Sequence, residues 1–349
     1  MSAATRSAPC PQAVGRVRRA RRRTTRRHAL VVGGLAVATL TAFLGRVLLG
    51  DYTVTVPDFV RILGGAQLPG ATFIVMETKL PRAVLAVLVG AAFGLGGAVF
   101  QTTLRNALAS PDVIGVGMGA SASAVFAILT LGLSGPVVSV FAVTGALATA
   151  VVVRLVAGSR GAHRIVLVGV GAAAFLSSAV QYLFARADVW DAQAALVWLT
   201  GSLAPASWPG VMRLAVCLAV LLPVTAELSR TLSATELGQD CATSLGVGAW
   251  RQEALLLAAV LLVAVGVAAA GPVAFVGFLA GPIARALNAG RTTLTGAALT
   301  GATLVVSADH VGAYLVPDLA LPVGVVTGAC GAPFLLWLLA TGRTFRRTP

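Results

Sequence analysis

The sequence predicts an all-α, polytopic membrane protein, with about ten transmembrane helices in one compact bundle. Three observations carry this prediction. Of 349 residues, 57% are hydrophobic and only 11% are charged, and the mean hydropathy is +0.90. So few polar side chains cannot wet the surface of a soluble globule of this length. Apolar segments close to the ~20 residues that a helix needs to cross a bilayer recur along nearly the whole chain. Basic residues gather in alternate breaks between those segments, the pattern that orients short loops across a membrane.

In chain order, residues 1–28 read as a basic, disordered cytoplasmic tail in which Arg16, Arg18, Arg19, Arg21, Arg22, Arg23, Arg26 and Arg27 lead up to the first apolar run. The first span is placed at 29–49. An external linker over 51–82, punctuated by Pro57, Pro69 and Pro81, is long for a bundle connection and leaves room for a short surface helix at 58–63. Spans at 83–103, 113–131, 136–157 and 165–185 follow. The stretch from Asp188 through Trp190 and Trp198 to Ala204 is amphipathic and too short to span, and its two tryptophans suit an interfacial or re-entrant element. A span at 210–228 leads into a cytoplasmic segment, 229–252, and spans at 253–270, 273–287, 294–308 and 321–340 complete the set. The transmembrane domain is thus 29–342, with a second cytoplasmic tail at 343–349.

An even number of spans puts both termini on one side. Arg105, Arg160, Arg164, Arg230, Arg251, Arg285, Arg291, Arg343, Arg346 and Arg347 then share the side of the basic tail, and Asp51, Asp58, Glu77, Asp188, Asp191 and Asp318 fall on the other. The net charge of +14 is therefore a topology signal, and no nucleic-acid partner is expected. Thr25-Arg-Arg-His-Ala-Leu30 also imitates a twin-arginine export signal, but nine further spans argue against an exported product. Cys10, Cys217, Cys241 and Cys330 form no close pair, and His28, His163 and His310 are scattered, so the spacing assembles no metal site and no cofactor is expected.

ATP hydrolysis requires a phosphate-cradling loop that ends in Gly-Lys-Ser/Thr. The chain has one lysine, Lys79, between Thr78 and Leu80. Energy from ATP must therefore come from another chain, and no catalytic residue is expected in this one. In the cytoplasmic segment, Ser233 or Thr235 can cap a short helix on which Leu237, Cys241 and Leu245 recur at a spacing of four. A single apolar stripe on a cytoplasmic helix needs a partner surface, either its own bundle or a groove in another protein. Glycine-rich runs such as Gly90 to Gly97 and Gly115 to Gly119 suit close packing of helices, with a flanking position on a pathway as the alternative.

Several motifs share one resemblance. Lys79-Leu-Pro-Arg82, Leu104-Arg-Asn-Ala-Leu-Ala-Ser-Pro-Asp112-Val-Ile-Gly115, Trp198-Leu-Thr-Gly201-Ser-Leu, Leu232 to Val247, Gly271-Pro-Val-Ala-Phe-Val-Gly277 to Arg285, and Leu321-Pro-Val-Gly324 to Pro333 stand in the order found in the permease subunit of ABC importers for ferric siderophores, haem and vitamin B12. The resemblance covers roughly residues 78–342. It implies a path for a ferric siderophore or similar chelate, with haem and cobalamin as alternatives. It also implies a second permease copy or paralogue, two cytoplasmic ATP-binding subunits and an external substrate-binding lipoprotein, at the cytoplasmic membrane of a prokaryote with both termini cytoplasmic.

By the same resemblance, Lys79 and Arg82 dock the lipoprotein, although charged residues there also serve as interfacial anchors for the helix. Glu236, Leu237, Gly238, Ala242, Leu245, Gly246 and Val247 couple to the ATPase. Gly115, Gly119, Trp198, Gly201, Gly277 and Gly324 are candidates for the pathway or gate. The chain departs from the family pattern at Gln239, Pro282, Ala313 and Ala320, where glutamate, histidine, an external arginine and glutamate are usual; His310 is the nearest substitute for that arginine. An ion-coupled secondary transporter is the rival reading, but such proteins place ionisable groups at mid-membrane and these spans carry acids only near their ends. A membrane-embedded sensing or scaffolding subunit is a third reading, and the coupling segment argues against it.

Overall fold

The computed structural model describes residues 11–107, 109–112, 114–158, 162–235, 239–314 and 320–340, and all regular structure among them is helical. The first helix, α1 (Pro11–Leu48), has 38 residues. At 1.5 Å per residue it is about 57 Å long, well beyond the ~30 Å hydrocarbon layer. This corrects the expectation of a disordered tail from residue 11 onward. Arginine and alanine both favour helix, and the Thr24 and Thr25 hydroxyls donate back to the carbonyls of Ala20 and Arg21. Arg27 Nη2 donates to the carbonyl of Leu287, 3.1 Å away, and so ties this extension to the bundle.

The short helix expected in the first linker is present as α2 (Val56–Leu63), where Thr55 caps the Asp58 N–H and Phe59 and Ile62 are buried. The second span starts earlier than expected. α3 (Ala71–Phe73), a six-residue π turn (Ile74–Lys79) and α4 (Leu80–Thr103) run on as one rod, Ala71–Thr103. Pro81 looks in sequence like the end of a linker. A proline inside a helix removes one donor and crowds the preceding turn, and the π turn just before it absorbs that crowding.

Next come α5 (Val116–Leu129), α6 (Pro136–Ala157), α7 (Ala162–Ala185), the short α8 (Val189–Leu199), α9 (Trp208–Ser229), α10 (Leu232–Thr235) and α11 (Gln239–Ser244). The chain closes with α12 (Ala249–Ala270), α13 (Val276–Leu287), α14 (Leu294–Tyr314) and α15 (Val323–Ala340). Helices stand at all ten expected positions. Among the described residues, six are long and apolar enough to cross a membrane by themselves, and Val116–Leu129, Val276–Leu287 and Val323–Leu336 are shorter apolar helices.

α4 is the hub, packed against α14, α12, α13, α9 and α1, while α5 and α6 bring α7 and α8 onto the α12 side. The hub is built from small residues. Gly90 meets Gly301, Gly94 meets Ala297, and Gly97 meets Gly277, each against backbone atoms that a methyl group would enter. Between spans, where lipid is as apolar as leucine, such backbone contact drives association. Polar ties supplement it: Thr39 Oγ1 of α1 lies 2.8 Å from Thr303 Oγ1 and 3.2 Å from the Leu299 carbonyl of α14.

Candidate transport elements and their anchors

The two basic residues at the start of α4 are turned inward. Lys79 is 5% exposed, and its Nζ donates to the carbonyls of Leu49 at 2.9 Å and Tyr52 at 2.6 Å, at the end of α1. Arg82 grips Asp309 with Nε at 3.0 Å and 3.1 Å from the two carboxylate oxygens and Nη2 at 2.8 Å. Arg46 of α1 donates to the same carboxylate at 2.6 Å and to the Tyr314 hydroxyl at 3.2 Å, with its guanidinium over the Tyr314 ring. One acid of α14 thus joins α1 and α4. Both basic residues thus make their hydrogen bonds within the chain. His310 lies edge-on to Tyr314 with its Nδ1 buried and without a partner among the described residues, and Ala313 is partly buried on the same helix.

Further in, two prolines create carbonyls that their own helix cannot satisfy, and a side chain from another helix answers each. In the register of the π turn, residue 81 would donate to Met76, but proline has no N–H. Trp208 of α9 supplies the donor, Nε1 to the Met76 carbonyl at 2.7 Å. In α13, Pro282 leaves the carbonyl of Phe278 free, and Gln101 of α4 donates Nε2 to it at 2.9 Å. Lipid-exposed backbone has no water to turn to, so irregular helices survive only where the protein covers them. Sequence reasoning missed Trp208 and Gln101. The only signals were a polar residue, Gln101, inside one expected span and an amphipathic one, Trp208, two residues before another, and neither partner is close in sequence. Gln101→Leu is expected to destabilise the protein by about 1–3 kcal/mol through the orphaned carbonyl. Adding Pro282→Ala, which restores the backbone donor, should recover most of that loss in a thermal melt of detergent-purified protein.

The candidate pathway residues separate into three sets. Trp198, Gly201 and Gly324 come together where α8 ends and α15 begins. The N–H of Gly324 donates to Gly201 at 3.1 Å and that of Ser202 to Ala270 at 2.8 Å, and a β-carbon on Gly201, Gly271 or Gly324 would run into backbone atoms of Pro272, Trp198 or Thr200. Gly201, at φ 69°, also needs a left-handed conformation. Gly277 lies deeper, at the start of α13 against Gly97. The preceding Phe275 is left-handed at φ 64°, a strained state for a bulky residue, and its ring fills the space a side chain on Gly331 would occupy. Gly115 and Gly119 instead pack α5 against Gly169 and Gly145. Asp112, between these groups, has carboxylate oxygens near both Gly117 and Gly277.

In the segment expected to be cytoplasmic, α10 and α11 are shorter than one continuous helix. Leu232, Ala242 and Val247 are buried, whereas Leu245 is 65% exposed and Cys241 is exposed. Gly246, at φ 81°, ends α11 with its N–H on Thr243, and the N–H of Val247 returns to Ala242, the double closure of a glycine-terminated helix. Glu236, Leu237 and Gly238 lie outside the described residues. Pro282, where the family pattern has histidine, is buried in α13, and Arg285 nearby donates Nη2 to Thr102 Oγ1 at 3.3 Å. Ala320 is exposed before α15, and Gln239 opens α11.

Comparison with known proteins places this architecture. The profile of the FecCD transport family matches residues 35–341. The achromobactin transport system permease protein CbrC of Dickeya dadantii (strain 3937) is 37% identical over 318 residues, covering 88% of this chain and 90% of the relative. The Fe(3+) dicitrate transport system permease protein FecD of Escherichia coli (strain K12) is 39% identical over 277 residues, covering 78% and 86%. A solved structure described as an inward-facing metal-chelate type ABC transporter superposes with a TM-score of 0.78 at 25% identity over 89% of this chain and 99% of its own. With a match that spans most of its length, the chain belongs to the FecCD transport family.

Proposed function

We propose that the chain is the transmembrane permease of an ABC importer that carries a ferric siderophore or ferric citrate-like chelate across the cytoplasmic membrane, driven by a separate ATPase. The observation that carries this reading is family membership over residues 35–341, together with relatives that are permeases of achromobactin and Fe(3+) dicitrate transport systems. All ten apolar helices cross the bilayer in this reading, with both termini cytoplasmic. The N-terminal arginines of α1 support that orientation.

A second permease copy covers the apolar side of α7, α8 and α15, where Leu167, Phe175, Trp190 and Leu336 stand exposed, and the path runs between the two copies. A closed two-fold pair is the commonest way to bury one such face. Two ATPases receive the segment that carries Cys241, Leu245 and the Gly246 turn. An external lipoprotein docks on the outer face, where Lys79 and Arg82 act as positioning residues that hold the ends of α1, α4 and α14 in register.

Uptake of labelled ferric achromobactin, ferric citrate, haem and cobalamin in a strain lacking the chain tests the substrate class. Loss of one ferric chelate, restored by the wild-type chain, is the expected result. Loss of haem or cobalamin uptake alone would move the assignment to that class, and undiminished uptake of all four would remove it.

A further inference from the structure

An apolar groove of about 300 Å³ lies between α6 and α12, lined by none of the candidate pathway or coupling residues. That volume is at the low end of the ~300–1,000 Å³ range of small-molecule sites. Phe100, which is buried, Leu104 and Ile165 line it together with the exposed wall residues Val151, Leu155 and Leu257. Those three wall residues are 51%, 74% and 49% exposed, so the groove opens outward along the side of the bundle.

Its cytoplasmic mouth differs in character. Arg154, in the last turn of α6, forms a two-point pair with Glu253 in the early turns of α12 and also bonds the Gly158 carbonyl. Trp250, three and four residues before the lining residues Glu253 and Ala254, lies on the same face of α12, is 64% exposed, and carries the Arg251 guanidinium over its ring at 5.5 Å. Arg164 is exposed directly before the lining residue Ile165. Among the described residues, the lining positions and those within two places of them along α6, α7 and α12 carry three arginines, Arg154, Arg164 and Arg251, and one carboxylate, Glu253. Tryptophan and arginine are the residues that settle at the headgroup level of a membrane.

We infer that this groove is a binding site for an anionic phospholipid, with an acyl chain between α6 and α12 and the phosphate over Arg154, Arg164 and Arg251. Three features select this occupant: an apolar trough that opens toward the side of a membrane-spanning bundle, a net positive mouth on the side of the basic tail, and an interfacial tryptophan between them. Basic pockets between helices on the cytoplasmic side suit anionic headgroups, with attraction that grows with each arginine. A neutral lipid would fill the trough equally well but would leave the excess of positive charge at the mouth unmatched.

The test uses full-length permease in nanodiscs of equal phosphatidylglycerol and phosphatidylcholine, released into mild detergent and weighed by native mass spectrometry. Wild type is expected to retain phosphatidylglycerol about tenfold over phosphatidylcholine. Ala254→Trp, which fills the trough, and the pair Arg164→Gln/Arg251→Gln, which leaves Arg154 with Glu253, should each lower that retention about fivefold or more. Equal retention of the two lipids by wild type, or full retention by the arginine pair variant, would overturn the assignment. So would efficient disulfide crosslinking between two copies through Leu155→Cys, because it would give the groove to a second permease.

Discussion

Asp309→Ala is expected to destabilise the protein by about 3–5 kcal/mol, the usual cost of removing one partner of a buried charge cluster. Asp309 is 1% exposed and accepts from both Arg46, itself 3% exposed, and Arg82. Without it, two guanidiniums remain in a poorly hydrated corner that already holds Lys79. Burial of charge is tolerated only where pairing and hydrogen bonds compensate it, and Tyr314 offers only one neutral oxygen. The measurement is thermal unfolding in detergent, with the folded yield from membranes as a second readout. Asp309→Glu, which keeps the charge, should lose much less. A melting temperature for the alanine variant within error of wild type would show that the three-residue cluster contributes little. The same geometry means that reversing the charge of Arg82 tests folding before it tests docking.

Leu245→Asp is expected to leave the permease folded while weakening its grip on the ATPase by about 2 kcal/mol, roughly thirtyfold, the scale of an interface hot spot. Leu245 is 65% exposed at the end of α11, beside exposed Cys241, while its neighbours Ala242 and Val247 are buried and hold the segment in place. A charge placed on the exposed apolar side meets water in the free permease and is desolvated only in the complex. Co-purification with the ATPase and chelate uptake should therefore fall together, with an unchanged melting temperature. Unchanged uptake would exclude this face from coupling. Val247→Asp, by contrast, enters a buried position and should lower the melting temperature itself.

The apolar helices were legible because each apolar run is bounded by charge, proline or glycine. The 136–157 span coincides with α6, and the short proline-bearing span became α13. Errors arose where one residue type carries two meanings. Pro81 reads as a break, but a π turn accommodates it within the rod Ala71–Thr103. The arginines before the first span read as a tail because of their charge, whereas their helix propensity extends α1 to Pro11.

The site was legible as motif positions and much less as contacts. Lys79 and Arg82 were identified, but their partners were not: Asp309 lies 227 residues from Arg82, just beyond an expected span that ended at 308 and that α14 carries on to Tyr314. Gln101 and Trp208 answer carbonyls freed by prolines 181 and 127 positions away, distances at which no periodicity operates. Trp198, Gly201 and Gly324 do meet, through backbone contacts that become visible only once three helix ends are placed.

The measurement that bears most directly on the central claim is accumulation of labelled ferric chelate by proteoliposomes containing this permease and its ATPase, with the binding lipoprotein added outside. Accumulation that requires ATP inside the liposomes, and that vanishes when the ATPase is omitted, is the predicted result. Accumulation driven by a proton gradient without ATP, or undiminished when the ATPase is left out, would contradict the account and favour a secondary transporter.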